Sequence, residues 1–201
     1  MLMHFSKRLF DLFFSLLALL ILSPILLLTA LLVRIFLGTP ILFKQQRPGY
    51  KGRPFAIYKF RSMRDAADRD GTPLPDSERL TRFGRILRSL SLDELPELFN
   101  ILRGEMSVVG PRPALASQVE LLALREAGGA NACRPGLTGL AQINSYSNMP
   151  VQEKAEKESS QMTAKNSRFK RVNSAIVIGI LVGILSLERK SSGKATKSGG
   201  R

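Results

Sequence analysis

Histidine and cysteine are nearly missing from this chain of 201 residues: His4 and Cys133 are the single examples of each. One cysteine excludes an intramolecular disulfide and a Cys-rich metal centre, and Cys133 reads as a structural residue. One histidine, beside the N-terminus, excludes a Ser-His-Asp triad and a His-based zinc site in the body of the protein. Acids are scarce as well, 16 Asp and Glu against 30 Lys and Arg, for a net charge of +14. There is no internal repeat and no G-x-x-x-x-G-K-[ST] run, which argues against an ordinary nucleotide triphosphatase. Catalysis, if any, is left to carboxylates, arginines, lysines and hydroxyls. A metal would be a hard cation held by oxygen, which makes Mg²⁺ the favoured ion. The basic excess points to an anionic partner: nucleic acid, phospholipid headgroups or a phosphorylated substrate. Nucleic acid fits worst, since neither clustered aromatic platforms nor a helix-turn-helix signal is present. The length suits one globular domain with attachments and a real core.

Charge is also absent from Leu12 to Val33, LFFSLLALLILSPILLLTALLV. As a straight helix this run is long enough to cross the hydrocarbon core. It is too long, and lacks too clearly a small-residue cleavage site, to read as a signal peptide. Pro24 cannot donate to the carbonyl of Leu20, and Ser23 can bend a helix further by bonding backward. Lys7 and Arg8 precede the run; Arg34, Lys44, Arg47, Lys51 and Arg53 come after it. Positive charge marks the cytoplasmic side, and here both flanks carry it. A spanning helix and a re-entrant hairpin are both open readings, and the flanks favour the hairpin.

Beyond the apolar run the chain is rich in signals. Pro40–Gln46 and Pro54–Met63 read as strands joined by the turn RPGYKGR, with Phe55, Ile57, Lys59 and Arg61 on one face of the second. Asp65–Pro75 is a polar loop. From about Asp76 to Leu90 an apolar stripe (Leu80, Phe83, Ile86, Leu87, Leu90) runs beside Arg79, Arg82, Arg85 and Arg88 and predicts one basic amphipathic helix. Such a helix lies on an anionic membrane surface or packs on a core with its basic face in water. Pro96–Arg103 is a further helix with Gly104 past its end. Another helix is expected from about Leu115 to Glu126, and a turn with a short strand over Arg134–Asn144. Ala175–Leu187 is apolar but short for a span, and reads as a buried or interfacial helix. The basic C-terminal stretch reads as disordered.

The acidic pair Asp93-Glu94 is the point of greatest interest. Ser91-Leu92-Asp93-Glu94 matches a capping box, but a residue before proline avoids helical dihedrals, so Pro96 argues for a helix that starts there. The pair then sits on a turn just before it. Around it stand arginines on stiff backbones: Arg112 in GPRP, Arg47-Pro48-Gly49 and Arg134-Pro135-Gly136. Acids bind Mg²⁺, and Mg²⁺ with arginine forks binds a pyrophosphate.

The motifs KFRSM, LRSLSLDELPELFN, GEMSVVGPRP and RPGLTGLAQIN occur in this order behind a hydrophobic segment interrupted at Ser-Pro. In this the chain, over roughly Phe5 to Asn144, resembles the small monotopic phosphoglycosyl transferases, the bacterial sugar transferase family. The resemblance implies transfer of a phosphosugar from a UDP-sugar to undecaprenyl (polyprenyl) phosphate, with release of UMP, at the cytoplasmic face of the bacterial inner membrane. It implies Asp93 as the nucleophile of a ping-pong reaction through a covalent aspartyl-phosphosugar, and Glu94 as a Mg²⁺ ligand. Arg88 and Arg112 fall on positions expected to meet phosphate; Lys59, Arg61, Arg134 and Gln142, in the same motifs, complete the candidate substrate-binding set. The partners implied are the UDP-sugar donor, the polyprenyl phosphate acceptor and membrane lipids, and no nucleic acid. The fold implied is α+β: a re-entrant membrane helix in 1–37, turned back at Ser23 and Pro24, and a catalytic domain in 38–148 with a small β-hairpin and amphipathic interfacial helices. After these come a divergent helical tail over 149–188 and a disordered basic tail over 189–201. NMPVQEKAE still resembles one branch of the family; beyond Glu156 the likeness ends. A catalytically silent membrane-associated adaptor is the alternative, and intact Asp93, Glu94 and Arg112 count against it.

Overall fold

The computed structural model describes residues 2–67, 70–72, 74–143 and 149–163, with side chains from residue 6 to residue 160. The apolar stretch Ala175–Leu187 and the basic tail lie outside the described residues. The architecture mixes helix and sheet. Helix α1, Leu2–Leu37, contains the whole uncharged run and is long and apolar enough to cross a membrane. Strands β1 (Leu42–Pro48) and β2 (Pro54–Phe60) form an antiparallel hairpin with Leu42 opposite Phe60 and Pro48 opposite Pro54. Helices α2 (Asp76–Arg79), α3 (Arg82–Ser89) and α4 (Glu97–Arg103) come next. A small parallel pair joins β3 (Ser107–Val109) to β4 (Gly136–Thr138), with α5 (Val119–Ala127) between them. Helices α6 (Leu140–Ile143) and α7 (Val151–Thr163) complete the described fold.

Three expectations are corrected. The single helix over 76–90 is two helices. Leu80 is extended and bridges to Met63, and Thr81, also extended, accepts a bond from the Gly84 amide at 3.0 Å as the N-cap of α3. Ser-Pro does not end α1, which stays helical through Pro24. The carbonyl that proline leaves without a donor is met from one side, because Ser23 Oγ donates to Leu20 O at 2.8 Å. Arg134 to Ile143 holds a short strand, as expected, but also the helix α6; Asn144 lies outside the described residues. The strand at Ser107–Val109 is too short to show in the sequence pattern.

The core explains the position of α1. Its first half lays Phe10, Phe14, Ala18 and Leu19 on a cluster built from Phe55, Ile57, Leu98, Ile101 and Met106. Its second half lays Leu26, Ala30, Val33 and Leu37 on Phe60, Leu87, Leu92 and Leu95. Polar contacts fix the N-terminal end. Arg8 donates to the carbonyls of Ile101 and Leu102 at 2.6 and 2.7 Å, satisfying the open C-terminal end of α4. Asp11, fully buried, accepts from Ser107 Oγ at 2.9 Å and from the Val108 amide at 3.0 Å. Lys7 lies within 3.6 Å of Asp11 and donates to Ser107 Oγ and Val109 O. A third cluster, Ala114, Leu121 and Ala155, joins α5 to α7.

Candidate active site

The acidic pair sits on a 3₁₀ turn, Leu92–Glu94, between α3 and α4. Ser91 before it is left-handed (φ 54°) and its side chain caps nothing, so the capping-box pattern is not realised. The next helix runs Glu97–Arg103 with Pro96 as its N-cap and Gly104 (φ 84°) as its left-handed C-cap. The turn is held by its apolar flanks: Leu92 and Leu95 pack into the cluster shared with the second half of α1. The two carboxylates are thereby set beside α1.

Helix α4 supplies the opposite wall. Asn100 is buried, accepts from the Tyr58 amide at 3.0 Å and donates to Ala56 O at 2.7 Å, so its amide completes the open edge of β2. That docking sets Glu97, one turn earlier, against Lys59 of β2. Lys59 Nζ reaches Glu94 Oε1 at 2.7 Å and Glu97 Oε1 at 3.2 Å. Arg112, from the GPRP loop, grips Glu94 with both terminal nitrogens, Nη1 at 3.3 Å from Oε2 and Nη2 on Oε1. The arginine side chain is 44% exposed while Glu94 is 16% exposed, so the fork is anchored at one end and open to solvent at the other.

Electrostatics separate the three acids. Burial works to raise the Glu94 carboxyl, but the hydrogen bond and charge of Arg112, with Lys59, outweigh it and hold it below the ordinary range. Burial, and then the Glu94 charge, push Asp93 up, against the pull of Lys59 and Arg88. Burial pushes Glu97 up to about 7. Asp93 is therefore the more basic member of the pair, and Glu94 the fixed anion. Cys133 has its thiol raised by burial, in keeping with an inert structural role.

The sequence-derived candidates divide. Lys59, Asp93, Glu94 and Arg112 come together in one cluster. Arg88 stands close enough to act on Asp93 through its charge, and its Nε donates to Ser62 Oγ at 2.9 Å. Arg61 is elsewhere: it is buried, donates to Met63 O and Thr39 O, and pairs with Asp65 at 3.0 Å. Arg134 donates to Gly104 O at 2.7 Å and lies over the Tyr50 ring. Gln142 donates to Leu137 O at 3.1 Å. Glu97 and Asn100 are absent from the sequence-derived set, although the ELFN run that carries them adjoins the acidic pair. Arg47 enters the sequence reading only as a stiff arginine. Its guanidinium donates to Pro113 O at 3.3 Å and to Gln45 at 2.6 Å, and burial, then the Arg112 charge, push it down.

Among the described residues no group of three or more Asp, Glu, His or Cys side chains is arranged to hold a metal. The donor set fits the other common mode for Mg²⁺, one or two carboxylates completed by substrate phosphate. A pre-formed protein cage is not that mode.

The profile of the family described as bacterial sugar transferase matches residues 2–172. Over 150 residues the chain is 47% identical to the uncharacterized sugar transferase EpsL of Bacillus subtilis, covering 75% of this chain and 74% of that protein. It is 47% identical over 147 residues to an undecaprenyl-phosphate glucose phosphotransferase of Komagataeibacter xylinus, covering 69% of this chain and 28% of the relative. It is 44% identical over 144 residues to a UDP-glucose:undecaprenyl-phosphate glucose-1-phosphate transferase of Klebsiella pneumoniae, covering 70% of this chain and 31% of the relative. The chain thus spans less than a third of the length of these last two.

Proposed function

Because the chain belongs to the bacterial sugar transferase family, we propose that it moves a phosphosugar from a UDP-sugar to a polyprenyl phosphate and releases UMP. The observation that carries this reading is the cluster itself. A raised carboxylate, Asp93, stands next to a neutralised one, Glu94, among Lys59, Arg88 and the open fork of Arg112. An ionised carboxylate needs no base to activate it, which suits a site without histidine. In the proposed first step an Asp93 oxygen attacks the phosphorus bearing the sugar. The P–O bond to UMP breaks and an aspartyl-phosphosugar forms. In the second step the acceptor phosphate attacks that phosphorus and regenerates the Asp93 carboxylate. Lys59, Arg88 and Arg112 meet the charge of the pyrophosphate, Arg112 from the solvent-facing side of a guanidinium that Glu94 anchors. Glu94 would contribute to holding Mg²⁺, which, when bound, offsets the repulsion between a carboxylate and a diphosphate. The test is UMP release from a panel of UDP-sugars, UDP-glucose among them, with undecaprenyl phosphate and Mg²⁺. Turnover of one donor is expected, and silence across the panel would favour the adaptor reading.

A second part of the proposal concerns the membrane. Helix α1 touches the domain from Lys7 to Leu19 and again from Leu26 to Leu37. A crossing needs about 20 residues clear of soluble protein, and no such stretch is left. We infer that α1 dips into the bilayer and returns to the cytoplasmic face by bending without ending, with the bend at Ser23 and Pro24 inside the continuous helix. On α3, Leu87 is buried while Ile86 and Leu90 are 56% and 46% exposed between arginines, which suits an element lying in the headgroup layer. Single cysteines introduced as Met3→Cys or Thr39→Cys, in a Cys133→Ser background, are both expected to resist an impermeant thiol reagent on intact cells. Both should react after lysis. Reaction of the Met3→Cys protein on intact cells would mean that the helix spans. Ser23→Ala combined with Pro24→Ala is expected to let a fraction of molecules react there.

A further inference from the structure

The tail helix α7 reaches the candidate active site through one buried ion pair. Glu158, fully buried on α7, takes both forks of Arg125 on α5, Oε2 from Nε at 2.6 Å and Oε1 from Nη2 at 2.7 Å. The second proton of the same Nη2 goes to the carbonyl oxygen of Arg112 at 2.8 Å. We propose that Glu158 is a positioning residue: through Arg125 it fixes the backbone from which Arg112 reaches Glu94 and the substrate phosphates.

The backbone of the GPRP loop explains why such a pin is needed. Pro111 and Pro113 have no N–H, so the loop cannot be tied down by a ladder of its own amides. Beyond the Gly110 amide, which donates to Thr138 O at 2.8 Å, it is held by its carbonyls, each from a different direction. Pro111 O accepts from the Gly136 amide of β4 at 2.8 Å, Arg112 O from Arg125, and Pro113 O from Arg47 of β1. Of the three, the bond on Arg112 itself is the one that depends on α7. The helix is brought close for it. A Cβ on Gly128, at the end of α5, would lie 2.2 Å from Ser159 Oγ and 3.1 Å from its Cβ, so any larger residue there would force Ser159 to shift.

Stability alone is a poor reason for this pair. Taking two charges out of water costs much of what their attraction returns, and apolar residues of similar volume often serve a fold as well or better. An apolar pair cannot hold the Arg112 carbonyl. The two roles are therefore separable by experiment.

The inference rests on the phosphate-binding role of Arg112 proposed above, and its test includes an arm independent of turnover. The double variant Arg125→Met, Glu158→Leu is compared with the parent for thermal unfolding, amide hydrogen exchange over residues 107–118, and kcat and KM for the UDP-sugar. The expected result is unfolding at or above the parent temperature with faster exchange at the Arg112, Ala114 and Leu115 amides. The donor kcat/KM should fall by about tenfold or more, since small misplacements of a positioning group are costly. Glu158→Gln, which keeps an acceptor oxygen but loses the charge, is expected to shift exchange in the same direction and carries the comparison if the double variant does not fold. Unchanged exchange in the loop overturns the proposal, whether or not the parent turns over. So does parental kcat/KM in a variant whose loop exchange has risen. A parent that releases no UMP would refute the proposed reaction and leave the exchange result to decide the role of Glu158.

Discussion

Asp93→Asn is expected to abolish UMP release, with a loss on the order of 10⁴-fold or more, the scale seen when a catalytic nucleophile is removed. The substitution is nearly isosteric. It keeps the turn, whose shape comes from Leu92 and Leu95 on the α1 cluster rather than from the Asp93 side chain. What it removes is the charged oxygen. An amide is a poor nucleophile; Lys59, Arg88 and Arg112 are cations that can hold a phosphate but not attack it, and the other carboxylates are engaged, Glu94 by Lys59 and Arg112 and Glu97 by Lys59. The same variant tests the order of events. Parental protein incubated with the UDP-sugar alone should gain the mass of one phosphosugar, and Asp93→Asn should gain none. A turnover rate close to the parent in Asp93→Asn would sink the covalent route.

The second large effect is expected at Glu94. Glu94→Gln should lower turnover by roughly 10²–10³-fold, comparable to the loss of one preorganised electrostatic contact, and a chelator should stop the parent enzyme. Glu94 is the common partner of Lys59 and Arg112. Without its charge, Lys59 keeps Glu97 alone, and the Arg112 fork loses the anchor that aims it. The protein should stay folded, because Arg112 is exposed at its outer end and the exposed part of such a pair contributes little to stability. Parental rates in the presence of chelator would remove Mg²⁺ from the mechanism. Parental rates in Glu94→Gln would reduce this residue to a structural partner of Arg112.

The parts of this site that the sequence announces are those fixed by local rules. Helix α4 begins just after Pro96 and the acidic pair falls on the turn before it, as expected, but not for the expected reason: Leu95 is itself helical (φ −55°, ψ −36°), so proline's restriction on its predecessor is overridden. Proline and glycine punctuation likewise marks the β1–β2 hairpin and the end of α4. The hidden parts depend on contacts far apart in sequence. Asp11 stands just outside the uncharged run and looks like a flank, yet it bonds residues 107 and 108. Asn100 shows no pattern of its own, because its function is to meet an edge of β2 more than 40 positions earlier. Arg61 shares a strand face with Lys59, but its backbone passes the end of the sheet, and nearby carbonyls capture its fork. Periodicity fails at Leu80 for a related reason: the stripe is continuous in sequence, while a bridge to Met63 pulls that residue out of the helix.

Because α1 contributes side chains to two of the three apolar clusters of the domain, the membrane insertion proposed for α1 would be one event with folding. A soluble catalytic half does not exist to be released by trimming the helix, since removal would strip a wall from each of these two clusters and expose Ile101 and Phe60 to water. The same arrangement fixes altitude. An enzyme on a flexible leash samples many heights above a bilayer and meets a lipid-borne substrate only in some of them. Here the turn carrying Asp93 is packed against α1 through its own neighbours, so on the proposed reading the attacking oxygen would stand at one constant depth relative to the lipid surface. A phosphate carried in that surface therefore encounters the site by moving in two dimensions.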